Sequence, residues 1–124
     1  MNENEVTQKL VEQCEAIELI AKELRWILEE STERDIQPNT LAAEEVLRMF
    51  FDLYKDFKRV REQTQKLRND IYAISFTDKT LEMVNRMTAD ALVKKLSEGI
   101  FEQMVSVAEY GCLPDGTTYE DLSS

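Results

Sequence analysis

The chain has 124 residues, 43% of them hydrophobic, with 15 basic against 25 acidic side chains and no histidine. That length suits one domain, and the apolar fraction excludes wholesale disorder despite a net charge of −10. Three glycines and two prolines are too few for the turns of an all-β fold, and the lack of histidine removes the commonest general base and metal ligand.

Residues 1–8 carry Glu3 and Glu5 and no basic region followed by an apolar core, so no signal peptide is expected. The most apolar window, 16–28, is interrupted by Glu18, Lys22, Glu23 and Arg25, which predicts no membrane span and a cytoplasmic protein. Cys14 and Cys112 form no C-x-x-C pair, and in a reducing compartment both are expected as free thiols.

The first predicted helix runs from about Asn4 to Glu30. Val6, Leu10, Ile17, Ile20, Leu24 and Ile27 alternate steps of four and three, with Gln13 in the one empty slot. Cys14, Ala21 and Leu28 widen this stripe. Leu19 and Trp26, seven apart, fall on another face, so the end of this helix is expected to touch a second neighbour. Ser31 to Asn39 reads as a polar loop, with Pro38 barred from a helix interior and Asn39 or Thr40 as the cap of the next helix.

The second predicted helix, about Leu41 to Ile74, carries the clearest signal. Val46, Phe50, Leu53, Phe57, Val60, Thr64, Leu67, Ile71 and Ile74 alternate steps of four and three without an error, with Thr64 the only polar member. Leu47, Met49, Phe51 and Tyr54 broaden its first half; its second half is narrow. A helix of that length, roughly 50 Å, exceeds the diameter of a compact domain of this size. Either the monomer is an elongated bundle or the helix is covered by a second copy, and the narrow seam favours the second copy. Phe50, Leu53, Phe57, Val60, Leu67 and Ile71 are the candidate interface.

Ser75 to Asp78 resembles a capping box with Ser75 at the cap. A third helix is predicted from Lys79 to Tyr110, with its apolar face through Leu81, Val84, Leu92, Leu96, Ile100, Met104 and Ala108. Gly99 marks a kink or a split around residues 97–99. Gly111 suits a C-cap, 113–116 a turn, and 117–124 a frayed acidic tail, so the domain is expected to span 1–112.

Chemistry is sparse. The glycines at 99, 111 and 116 cannot form a phosphate loop or a dinucleotide fingerprint, and triads that need histidine are impossible within the chain. Glu12, Glu15 and Glu18 have the E-x-x-E spacing that helical metal enzymes use. They fall off the seam, however, and the second helix lacks a matching pair. No catalysis, cofactor or metal is expected.

Charge is uneven: residues 1–35 and 69–124 each carry ten acids and four bases, whereas 55–68 carry six bases and two acids. Lys58, Arg59, Arg61, Lys66 and Arg68 are the candidate charged contacts. In an antiparallel hairpin they run beside Glu3, Glu5, Glu12 and Glu15, and the plainest role for them is to balance those acids or the acidic third helix. A helical nucleic-acid-binding protein is one alternative, although the overall charge repels polyanions. An acidic inhibitor that blocks a nucleic-acid-binding protein is another. The expected protein is an all-α bundle of three long helices: a non-enzymatic protein–protein interaction module, working as a homodimer with a further protein partner.

Overall fold

The computed structural model describes residues 1–37 and 40–108, and every regular element among them is helical. Helix α1 spans Glu3–Glu33, α2 Leu41–Ala73, α3 Lys79–Lys94 and α4 Phe101–Ala108, with a π-helical turn over Lys95–Ile100 joining the last two. Thr77, in the α2–α3 loop, donates its hydroxyl to the Glu3 carboxylate at 3.3 Å. The start of α1 therefore lies beside the end of α2, so α1 and α2 are antiparallel and α3 with α4 runs back along both.

The seam of α2 is covered along its length from within the chain. Phe50, Phe57 and Ile71 are fully buried, and Leu53, Val60 and Leu67 nearly so, against Val6, Ile17 and Leu24 of α1 and Leu92, Leu96 and Met104 further on. Of the two shapes open to the sequence, this is the elongated bundle. The six candidate interface residues form its core, because α1 and α3 supply the two partner stripes that a second copy was expected to supply.

The two polar slots in those stripes meet. Gln13 Nε2 donates to Thr64 Oγ1 at 2.8 Å, while the Thr64 hydroxyl donates to the Val60 carbonyl at 2.7 Å. A satisfied polar pair of this kind fixes the register between two helices, since sliding by one turn would strand both groups against apolar neighbours.

Several boundaries differ from expectation. Helix α1 continues through Ser31, which is buried and donates its hydroxyl to the Ile27 carbonyl. It closes in a Schellman motif: Asp35 takes a left-handed conformation at φ 47°, its N–H bonds Thr32, and the Ile36 N–H reaches back to Ser31. Ile36 is buried, so part of the polar-looking loop belongs to the core. The cap of α2 is Thr40, whose Oγ1 accepts from the Ala43 N–H.

At α3 the cap is Asp78 rather than Ser75, because one carboxylate oxygen accepts from both Thr80 and Leu81 N–H groups, at 2.9 and 3.2 Å. Phe76 plugs the core from that loop.

The third segment is interrupted where a kink or split is expected: the α-helix gives way over Lys95–Ile100, which includes Gly99, to the π-helical turn. Its buried residues Leu92, Leu96, Ile100 and Met104 are four apart each time, and in an α-helix each such step overshoots the face by about 40°. The wider π turn absorbs that excess and keeps all four residues inward. A Cβ on Gly99 would meet nothing within 4 Å. Gly99→Ala is therefore expected to stabilise the chain by about 0.5–1 kcal/mol in chemical denaturation.

Gly111, Cys112, the turn at 113–116 and the tail lie outside the described residues.

Candidate functional site

The basic stretch of α2 is occupied with its own helix and with α3. Lys55 lies over the Phe51 ring at 4.3 Å, Lys58 over Tyr54 at 5.6 Å and Arg61 over Phe57 at 5.2 Å, each one turn back along the helix. Arg59 pairs with Asp56 at 3.4 Å. Lys66 lines an open cleft of about 430 Å³ between the start of α1 and the end of α2, together with Glu5, Lys9, Glu12 and Asp70.

A cross-helix ion pair of the stretch runs to α3. Arg68 Nε donates to Asp90 Oδ1 at 2.6 Å, and the Tyr72 hydroxyl donates to Asp90 Oδ2 at 2.6 Å. Arg68 and Arg86 cover the Tyr72 ring at 4.6 and 5.0 Å. The basic run thus balances the third helix at this point. Of the acids expected beside it, Glu5 and Glu12 line the cleft with Lys66, Glu12 also pairing with Lys9 at 4.0 Å, while Glu3 bonds Thr77.

The Tyr72 hydroxyl, and then the Arg68 guanidinium, hold the Asp90 carboxyl below its ordinary range; the bond to Asp90 in turn pushes the Tyr72 phenol up. A carboxylate with a depressed native pKa contributes stability above its unfolded value of about 3.9 and loses it as the pH falls through the native value. Asp90→Asn is expected to lower stability by less than about 1 kcal/mol at neutral pH, since both members of the ion pair are partly exposed to water. Unfolding midpoints of the two proteins should converge below about pH 4.

Cys14 is half-buried and its thiol faces the Glu18 carboxylate at 3.6 Å. Burial, and then that carboxylate, push its pKa up, which keeps it protonated and a poor nucleophile at neutral pH. Glu15 is exposed, and among the described residues no three acidic or cysteine side chains gather closely enough to hold a metal ion.

Two apolar patches stand on the surface. On α3, Met83, Val84 and Met87 are 56%, 49% and 63% exposed. Thr80, Thr88 and Ala91 complete a face without a charge over three turns. The Thr88 hydroxyl is turned back onto the Val84 carbonyl at 2.8 Å. Val84, expected in the core, points outward because the inward line of α3 runs through Asn85, Ala89 and Leu92. Asn85 is buried, and its Nδ2 finds no acceptor among the described residues.

Helix α1 does meet neighbours besides α2, in α3 and α4, but not on this face: Leu19 and Trp26 are 57% and 53% exposed. Trp26 and Met49 form the apolar part of a cleft of about 190 Å³ between α1 and α2, rimmed by Glu23, Asp52 and Asp56.

Among the described residues no helix is long and apolar enough to cross a membrane. Comparison of the chain with known protein families, with curated proteins and with solved structures finds no match in any of the three.

Proposed function

We propose that the chain acts without catalysis, as a small regulatory, adaptor or assembly factor that pairs with a second copy of itself through the outer face of α3. The observation that supports this reading is the uncharged stripe of Thr80, Met83, Val84, Met87, Thr88 and Ala91 on a chain in which 32% of residues are charged. Thr80, Val84, Met87 and Ala91 are spaced four, three and four apart, the spacing of a two-helix seam.

In an antiparallel pair centred between Val84 and Met87, Thr80 of one copy faces Ala91 of the other. Lys94 then lies alongside Thr77 and Asp78, so the ends of the contact bring opposite charges together. The neutral face lets two molecules of net charge −10 meet where neither presents an acid.

Light-scattering mass after size exclusion, at low and at high salt, tests the pairing. A mass near twice 14.5 kDa at both salts is the expected result, because an apolar contact is not screened. A monomer at both salts sinks it.

A further inference from the structure

We propose that the cleft between α1 and α2 at Trp26 is the docking site for a basic, amphipathic segment of another protein. Trp26 is the only tryptophan of the chain and stands 53% exposed, with Leu19 two helical turns upstream on the same stripe and Met49 facing it from α2. A half-exposed tryptophan in a cleft is the kind of side chain that anchors protein interfaces.

The rim decides what fits. Of its three acids, Asp56 is paired with Arg59, whereas Glu23 and Asp52 make no hydrogen bond or ion pair among the described residues. Two free carboxylates flanking an indole suit an incoming cation that is followed by an apolar side chain.

The same charges exclude the occupants nearest at hand. Residues 109–124 of the chain carry four acids and no base, and a second copy would bring the same acidic rim to itself. Both would add like charges to the cleft. The α3 face has no charge to repel a second copy, so the two surfaces suit different partners and this proposal does not rest on self-pairing.

The single tryptophan makes the site its own reporter. The probe is a synthetic helix-forming peptide with leucines on one face and lysines on the other, titrated into the full chain and followed by Trp26 emission. Two controls accompany it: the same peptide with glutamate for lysine, and one with alanine for leucine. Saturable binding of the lysine–leucine peptide with a blue shift is expected, and neither control should reproduce it.

Since any basic peptide is attracted to an acidic protein, equal charge changes in two places separate the site from the field. E23Q/D52N should weaken binding at least tenfold, while E62Q/E98Q, on α2 and the π-helical turn, should change it by less than twofold. Trp26→Ala, followed by calorimetry, should abolish it. Equal loss in both double variants, equal response to the glutamate or alanine peptide, or no saturable response at all would overturn the proposal.

Discussion

Phe57→Ala is expected to lower the unfolding free energy by about 3–5 kcal/mol, a large part of the 5–15 kcal/mol typical of a whole domain. Phe57 has no exposed surface; its ring is inclined by 26° to that of Tyr54 with centroids 6.4 Å apart, and the Arg61 guanidinium lies over it. Removing the ring leaves a cavity lined by side chains from more than one helix, which cannot all close in to fill it. Urea denaturation with mass measured on the same samples checks this. A variant that kept its unfolding midpoint while its mass halved would return the α2 seam to the role of a dimer contact.

The effect is specific to the enclosed part of the seam. Leu67 borders the open polar cleft, so a carboxylate placed there can reach water, where it meets Glu5, Glu12 and Asp70 as well as Lys9 and Lys66. Leu67→Glu is accordingly milder than a charge at Phe57 would be.

The α2 seam shows how far periodicity carries and where it stops. Eight of its nine positions mark the buried face of the helix, Ile74 falling at its C-cap, and Gln13 and Thr64 stand out as the polar slots of two stripes. Spacing on one helix does not identify what covers it. An α1 stripe with the same four-three rhythm and a second copy of the chain satisfy that spacing equally, and only the packing of α1, α3 and α4 over Phe50 and Phe57 decides between them.

Loops were the least legible, because their determinants are single hydrogen bonds. Ile36 is buried since Asp35 accepts a left-handed conformation, and polarity averaged over 31–39 hides both residues. The start of α3 turns on one carboxylate, Asp78, winning two N–H groups over the hydroxyl of Ser75. Along 92–104 the four-residue steps were visible in the sequence. Gly99 points to an interruption there, and the steps account for its form, a wider turn.

The candidate surfaces were legible in part. Leu19 and Trp26 were marked as facing a second neighbour by their spacing alone. On α3, apolar spacing from Leu81 places Val84 inward, whereas it is 49% exposed. Asn85 is buried instead, and that one-residue rotation carries Met83, Val84 and Met87 to the outside together. A helix with two competing stripes is ambiguous from composition, since each stripe satisfies the same period. The uncharged run at 80, 83, 84, 87, 88 and 91 was the available signal of a second face.

Met87→Glu is expected to convert the pair to monomers while leaving each bundle intact. Met87 is 63% exposed in the single chain, so a glutamate there remains hydrated and should shift stability by no more than about 0.5 kcal/mol. Across the proposed antiparallel contact the same residue faces Val84 of the other copy, and the two introduced carboxylates lie within about 5 Å of each other along the helix axis. Each loses water to an apolar surface and meets a like charge, a combination that costs several kcal/mol per pair. The helical circular dichroism signal and the unfolding midpoint measured on the monomer should match the parent while the scattering mass falls to 14.5 kDa. Met87→Lys should behave alike for the same reason. Mixing the two variants places opposite charges at that position, and a mass near twice the monomer in the mixture alone is the expected result. A mixture that stayed monomeric beside a dimeric parent would move the contact away from the centre of α3, and a Met87→Glu variant that stayed dimeric would remove this face from the pairing.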